Sequence, residues 1–326
     1  MTRPLVHLVN PMINTSGGSE WRTIELYRLL RDSCEVRVWT LGEANPFFAS
    51  EASLDVIDEA QGNFPRGGCL VILGAYYPLG GWVPESKPER VVFIYNTPQP
   101  AQLATVRGQL MEAGAGVEMV FASQWLMNES GLAGVVQVSP IDLSRFTPAD
   151  DADRDLARPF TVGRLSRDTP LKHHPPDVAL YRALSAQGLR VRIMGGTVLH
   201  DVLGDDRGVD LLPSDAIAAH EFLRGLDCFY YRTNNDFFET FGRVVMEAMA
   251  CGLPVVAHRR GGYAEWMTDG VDGFLIDNRD EAFKRILTLK QDPALAARVG
   301  KAARAAMERV YCDEAREKIA AFFRGG

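Results

Sequence analysis

The sequence predicts an α/β protein built from two lobes, each a doubly wound parallel sheet with helices on both faces. Short apolar runs alternate along the chain with longer segments of helical period, a pattern typical of parallel strands covered by helices. The length of 326 residues suggests two domains, since a domain usually has about 100 to 200 residues. Because ligands bind at the carboxyl ends of such sheets, we expect function to lie in a cleft between the lobes.

Predicted elements alternate regularly through the first half of the chain. Strands, each a short apolar run, are predicted at 5–9, 36–39, 70–73, 91–95, 119–122 and 135–138. Helices are predicted at 19–31, 101–112 and 124–130. The first of these begins directly after the pair Gly17 and Gly18. Residues 40–68 have no regular pattern and support no prediction.

The alternation lapses between 139 and 159 and then resumes. Pro140, Pro148 and the acidic run 150–155 predict a linker, so the lobes are predicted at 1–155 and 156–312. Strands of the second lobe are predicted at 160–162, 191–194, 228–231, 255–257 and 274–276. Helices are predicted at 176–187, 215–225 and 241–251, followed by a tail, 280–323, of three helical segments.

Composition and charge exclude several classes of function. The net charge is −7, and residues 1–155 carry 11 basic and 19 acidic side chains against 24 and 23 in the remainder. An acidic front half argues against nucleic-acid binding and against strong adhesion to anionic lipid. Five cysteines without CxxC spacing indicate neither a disulfide framework nor a zinc site. Since no signal peptide or membrane span is evident, we expect a cytoplasmic protein.

The segment most informative about function is 236–273. A predicted strand leads through a polar loop into a helix whose first turn falls near Thr240, Phe241 and Gly242, and the free N–H groups there can bind an anion. On one continuous helix, Glu239 and Glu247 would lie about 80° apart around the axis and roughly 12 Å apart along it. That separation excludes an acid/base pair on one bond. It suits two hydrogen-bond acceptors at the ends of a ligand with a central diphosphate, such as a nucleotide sugar.

The order of motifs in this segment resembles a known family. After Glu239 and Glu247 come the runs AMACGLPVV at 248–256, GGYAE at 261–265 and DGVDGFL at 269–275. Together they are similar to the C-terminal signature of retaining glycosyltransferases of the GT-B fold, specifically glycosyltransferase family 4. Weaker similarities to the family are GGSE at 17–20, FASQWL at 121–126, IDLSRFTP at 141–148 and VGRL at 162–165 followed by Lys172.

The resemblance implies a fold of two Rossmann-like lobes, an acceptor-side lobe and a donor lobe, with the terminal helix 313–326 packing back on the first. It also implies that Glu247 holds the ribose hydroxyls and that Glu239 lies near the transferred sugar. The positions expected to contact sugar or phosphate through the backbone are Thr240, Phe241, Gly242, Gly17 and Gly18.

Arg164 and Lys172 also have a physical reason to take part. A leaving nucleoside diphosphate gains negative charge as its bond to the sugar breaks, so fixed cations stabilise the transition state more than the ground state. The loop between the two residues is longer than is usual in the family, and His173 and His174 follow it directly.

One position departs from the family. Many relatives have a histidine close to the transferred sugar, where this chain has Asn96 as the nearest candidate. An asparagine can hydrogen-bond a sugar hydroxyl but cannot carry a proton at neutral pH. We include Asn96 among the predicted catalytic positions on this basis.

The sequence therefore predicts a retaining hexosyltransferase that uses a nucleotide diphosphate sugar and an acceptor hydroxyl, in glycan or glycoconjugate biosynthesis. The resemblance implies that no metal or other cofactor is needed. Asp151-Ala152-Asp153 matches the metal-binding Asp-x-Asp of the other large glycosyltransferase fold, but it lies in the polar linker and not at the end of a buried strand. Peripheral membrane contact remains open, as does oligomeric state. Two alternatives also remain: a nucleotide-sugar epimerase of the same fold and a non-catalytic nucleotide-sugar-binding subunit.

Overall fold

The computed structural model describes residues 3–150 and 157–325, which form two units. The first unit takes residues up to 140 together with those from 312 onward, and the second takes 141–311. The predicted boundary at 155/156 and the Asp151-Ala152-Asp153 motif lie outside the described residues. Residues 143–147 belong to the second unit because Arg224 and Arg304 donate hydrogen bonds to their main-chain carbonyls.

The first unit is built around a parallel sheet in the order β3-β2-β1-β4-β5-β6-β7. Its strands are β1 (Leu5–Val9), β2 (Glu35–Thr40), β3 (Leu54–Val56), β4 (Cys69–Leu73), β5 (Arg90–Tyr95), β6 (Val117–Phe121) and β7 (Val135–Val136). Its helices before residue 140 are α1 (Gly18–Leu30), α2 (Val83–Ser86), α3 (Pro100–Met111) and α4 (Gln124–Ser130). Strand β4 is buried along its whole length, as its uninterrupted apolar run predicts.

The second unit repeats this plan with a parallel sheet in the order β10-β9-β8-β11-β12-β13. Its strands are β8 (Thr161–Leu165), β9 (Arg190–Met194), β10 (Val209–Leu212), β11 (Cys228–Tyr231), β12 (Val255–His258) and β13 (Phe274–Ile276). Its helices are α5 (Asp177–Ala186), α6 (His200–Leu203), α7 (Ala219–Arg224), α8 (Arg243–Ala250), α9 (Arg279–Gln291) and α10 (Pro293–Val310). Val191 and Tyr230 of this sheet pack with Leu180 of α5 and Ile286 of α9 in one apolar core.

Each sheet has one position where the chain reverses its direction of winding. In the first sheet β1 and β4 are neighbours there, and in the second β8 and β11 are neighbours, with Val162 opposite Cys228. Loops that leave the carboxyl ends of such neighbouring strands diverge to opposite faces and open a crevice for ligands. Because β8 and β11 are neighbours, the loops that follow them begin side by side at the carboxyl edge of the second sheet, where such a crevice is expected.

The final helix, α11 (Asp313–Arg324), follows α9 and α10, so the tail has the predicted three helical segments. It packs on the first unit and buries Ile319, Ala320 and Phe323. The guanidinium carbon of Arg90 lies 4.5 Å from the centre of the Phe322 ring, and Arg324 donates to the Ser33 hydroxyl at 3.3 Å.

Several predicted boundaries were wrong. The helix predicted at 215–225 begins only at Ala219, because the chain turns at 213–217 after Pro213. The helix predicted at 241–251 begins only at Arg243. Strands β3 and β10 and the short helices α2 and α6 were missed; each has three or four residues, too few to display a period.

Candidate functional site

Two loops at the reversal point of the second sheet bring a lysine and a glutamate together. Lys172 follows β8 and Glu239 follows β11, 67 residues later. The Lys172 Nζ lies 2.5 Å from Glu239 Oε2, and the side chains are 9% and 14% exposed. The Tyr231 hydroxyl, at the end of β11, donates to the same Oε2 at 2.7 Å. The structure thus forms a compact, nearly buried ion pair from two of the predicted site residues.

The surroundings of this pair shift both pKa values. Burial would raise the pKa of Glu239, but the charge of Lys172 and the hydrogen bonds from Lys172 and Tyr231 outweigh it and lower that pKa below its usual value. Burial lowers the pKa of Lys172, and the Glu239 carboxylate opposes the change. The ammonium also lies 4.1 Å from the centre of the Phe237 ring. Glu239 is therefore held as a carboxylate at neutral pH.

Arg164 lies behind the ion pair. It is 1% exposed, and its guanidinium donates to the main-chain oxygen of Arg232 at 2.7 Å and to that of Lys172. Its Cζ lies 5.1 Å from the centre of the Tyr231 ring. The cation expected beside a leaving group therefore ties the loop after β8 to the loop after β11, and so fixes the position of Lys172.

Glu247 lies on α8 and has a cationic partner of its own. Arg243, one turn earlier, donates from Nε to Glu247 Oε1 at 2.7 Å, and both residues are buried. The spacing of four residues allows this contact on one helix face. The pair fixes the position of the Glu247 carboxylate on α8.

The start of α8 differs from the expectation. Glu239, Thr240 and Phe241 precede the helix, so the helical separation calculated for Glu239 and Glu247 was wrong: one lies in a loop and the other on α8. Gly242 has a left-handed backbone with φ of 74°, and a Cβ there would lie 2.3 Å from the Tyr263 ring. Glycine is therefore required by the turn and by Tyr263, in addition to any approach of a ligand.

The other predicted residues lie in the first unit, at the carboxyl edge of its sheet. Gly17 and Gly18 start α1 after the loop that leaves β1; Gly17 donates its N–H to the Asn14 carbonyl at 2.9 Å. A Cβ on Gly18 would meet no heavy atom within 4 Å. Asn96 follows the last residue of β5 and is half-buried.

The sequence analysis missed two neighbours of the predicted residues: Tyr231, which contacts Glu239, and Arg243, which contacts Glu247. It noted His173 only as following Lys172 directly. His173 is 4% exposed and Nε2 lies 2.8 Å from the Gly195 carbonyl, so this nitrogen carries the proton. Burial and the charge of Arg164 lower the pKa of His173 to about 3. The four-residue spacing of Arg243 and Glu247 was visible in the sequence, whereas the contact of Tyr231 depends on tertiary structure.

The described residues contain neither a cluster of metal-ligating side chains nor a membrane-spanning helix. In 3–150 and 157–325, no three His, Cys, Asp or Glu side chains are grouped as a metal site would require. Within the same ranges, no helix has the combined length and apolarity needed to cross a bilayer.

Comparison with known families agrees with the sequence resemblance. Residues 212–306 match the family model described as "Glycosyl transferases group 1". This segment contains Glu239, α8 and Glu247, and the predicted resemblance is confirmed there.

Solved structures of other proteins share the fold over nearly the whole chain. HepE from Anabaena, in complex with UDP and glucose, superposes with a TM-score of 0.77 at 17% identity and covers 98% of this chain and 99% of its own. A glycosyltransferase from Rickettsia africae has a TM-score of 0.74 at 13% identity, covering 100% and 99%. These neighbours confirm the predicted GT-B fold of two Rossmann-like lobes.

The curated relatives match part of the chain. A D-inositol 3-phosphate glycosyltransferase from Mycobacterium sp. (strain JLS) is 33% identical over 43% of this chain and 35% of its own length. The chain thus spans about a third of the length of such curated relatives.

Proposed function

We propose that this protein transfers a hexosyl group from a nucleotide diphosphate sugar to an acceptor hydroxyl, with retention of configuration and without a metal. The observation that carries the proposal is the Lys172–Glu239 ion pair at the reversal point of the second sheet, next to the start of α8. It lies in the unit that contains the family match. HepE was solved with UDP and glucose, and the curated relatives are named as glycosyltransferases, which supports a nucleotide-sugar donor.

Each end of the donor has an assigned partner in this proposal. The diphosphate binds Lys172 and the N–H groups that lead into α8 at Thr240, Phe241 and Gly242. Glu247 accepts hydrogen bonds from the ribose hydroxyls while Arg243 holds its carboxylate in place. Glu239 accepts from a hydroxyl of the sugar, and Arg164 positions Lys172 through its carbonyl.

The reaction then needs no protein nucleophile. The bond between the anomeric carbon and the phosphate oxygen breaks, and the acceptor oxygen forms its bond to that carbon on the same face. The acceptor's proton passes to the departing phosphate oxygen. Lys172 and the N–H groups before α8 are placed to stabilise the charge that develops on that oxygen, which is why we expect no metal requirement.

In the first unit, Gly17 and Gly18 would let the loop after β1 approach the diphosphate, and Asn96 would bond a sugar hydroxyl. We assign the acceptor to this unit, and we expect the protein to act in the cytoplasm. The acceptor to try first is D-inositol 3-phosphate, because the matching relatives are named for it.

A thermal-shift screen against UDP-, GDP-, ADP- and dTDP-sugars tests the proposal. A donor at 100 times its dissociation constant should stabilise the protein by about 2.7 kcal/mol. The stabilising donor is then incubated with and without acceptor, in the presence of EDTA. Transfer that depends on acceptor supports the proposal; conversion of donor alone would indicate an epimerase, and the absence of any stabilising donor would contradict it.

A further inference from the structure

Tyr231 has an unusual environment for a strand residue of an apolar core. Its side chain is 1% exposed, and the Arg164 Cζ lies 5.1 Å from the centre of its ring. The Tyr263 ring packs against it in a T-shaped arrangement, with 5.8 Å between the ring centres. The Phe229 ring is stacked near it, 6.1 Å away. These contacts leave the hydroxyl directed at Glu239 Oε2 at 2.7 Å. A buried tyrosine hydroxyl needs a hydrogen-bond partner, and this one has a carboxylate.

The two oxygens of Glu239 are used differently. Oε2 accepts from both Lys172, at 2.5 Å, and Tyr231, at 2.7 Å. Within the described ranges, Oε1 has no hydrogen-bond partner. Two donors from different elements, one on the loop after β8 and one at the end of β11, therefore fix the carboxylate while one oxygen is left as an acceptor. A side chain held by two donors loses little further conformational freedom when it binds a ligand.

We propose that Tyr231 is a positioning residue that holds the Glu239 carboxylate through Oε2 and leaves Oε1 to accept a hydroxyl of the ligand. The role of Oε1 toward a sugar hydroxyl rests on the proposed function. The holding of Oε2 by Tyr231 does not, because both groups belong to this chain.

The neighbouring tyrosine provides a matched control. Tyr230 is equally buried on the same strand, but its hydroxyl donates to Asp177 Oδ2 at 2.8 Å. Tyr231→Phe and Tyr230→Phe each remove one buried hydroxyl from β11. Only the first removes a donor to Glu239.

The test is a pH titration of Glu239 that is monitored by ¹³C NMR in protein labelled at glutamate Cδ. The Glu239 resonance is assigned as the one that disappears in Glu239→Gln. The charged or titratable groups around Glu239 are Lys172, Arg167, Tyr231, Tyr263, Arg164 and Arg260. Because a hydrogen bond to the carboxylate favours its charged form, its loss in Tyr231→Phe should raise the pKa of Glu239 by about one unit. Tyr230→Phe should leave that pKa unchanged. Equal values in unaltered protein and Tyr231→Phe would overturn the proposal.

A second measurement needs no substitution at Tyr231. In protein labelled with ¹³C at tyrosine Cζ, one resonance must change as Glu239 titrates, and that change must disappear in Glu239→Gln. The absence of such a resonance would also overturn the proposal. Neither measurement uses a substrate, so failure of the transferase proposal leaves their outcome unaffected, and the reverse also holds.

Discussion

The carboxyl edges of the two sheets differ in how they are held together. At the second sheet, charged side chains from distant segments bond one another, as in the pair of Lys172 and Glu239. At the first sheet, an amide and a carboxylate hold the loop after β1: Asn10 Nδ2 donates to the Ser19 hydroxyl at 2.8 Å and to the Leu73 carbonyl at 3.2 Å, and Glu20 accepts from the Asn14 N–H at 3.2 Å. The cation suited to a diphosphate, Lys172, therefore lies at the second sheet.

The largest expected effect is a difference in kcat between substitutions at the carboxyl edges of the two sheets. If the protein has the proposed function, Glu239→Gln should lower kcat for transfer by about 10²- to 10³-fold, since it removes the carboxylate that the proposal assigns to the sugar. Asn96→Ala, at the first sheet, should cost less than about tenfold, since it removes a neutral hydrogen bond. Both are measured as initial rates at saturating donor. A larger loss of kcat for Asn96→Ala than for Glu239→Gln would contradict the claim that the second sheet contributes more to transfer than the first.

The next effect concerns stability. Glu239→Gln leaves the Lys172 ammonium nearly buried without a carboxylate, which should cost about 2 to 3 kcal/mol of unfolding free energy. The double variant with Lys172→Met should recover part of that cost, giving a positive coupling in a double-mutant cycle from urea unfolding. The exposed pair Lys318 and Glu314 of α11 is the control and should show no measurable coupling. Equal coupling in both pairs would contradict the account of a desolvated ion pair.

The loss of folding stability in acid should arise in part from His173, at the carboxyl edge of the second sheet. The pKa of His173 is lowered from 6.5 to about 3, so the unfolded chain binds a proton there first, and stability falls as the pH drops from 6.5 toward 3. Between pH 7 and pH 5 this residue should account for a loss of about 2 kcal/mol. His173→Gln, which keeps a donor for the Gly195 carbonyl, should reduce the loss by that amount in urea unfolding at the two pH values. An unchanged loss would show that His173 titrates normally.

The smallest expected effect probes the glycine pair at the first edge. Gly18→Ala places a Cβ in open space at the start of α1, so stability should stay the same or rise by about 0.5 kcal/mol, while donor affinity falls if a ligand approaches there. Gly17→Ala should lose stability, because its Cβ would lie 3.0 Å from the Asn14 main-chain oxygen and would displace the Glu20 carboxylate that accepts from the Asn14 N–H. Thermal unfolding and donor titration of both variants check this. Unchanged donor affinity in Gly18→Ala would show that the loop after β1 does not contact the donor at Gly18.

How much could be predicted from the sequence depends on the length and burial of each element. Strands β11 and β13 were predicted at their observed bounds because their apolar runs are buried and uninterrupted. Strand β10 was missed, since its residues Val209–Leu212 are only half-buried and include a charged side chain. At the site, family motifs pointed to Lys172 and Glu239. The contact between Lys172 and Glu239 follows from β8 lying beside β11, which local periodicity does not encode.

The most direct test of the central claim compares two affinities. For the nucleotide sugar with the largest thermal shift and for its free nucleoside diphosphate, dissociation constants are measured by calorimetry in unaltered protein and in Glu239→Gln. If Glu239 binds the sugar while Lys172 and the amides before α8 bind the diphosphate, the substitution should weaken binding of the nucleotide sugar. Binding of the free diphosphate should be unchanged or tighter, because Lys172 then no longer has Glu239 as its carboxylate partner. If Glu239→Gln changes neither affinity, or weakens both equally, the assignment of Glu239 to the sugar is contradicted.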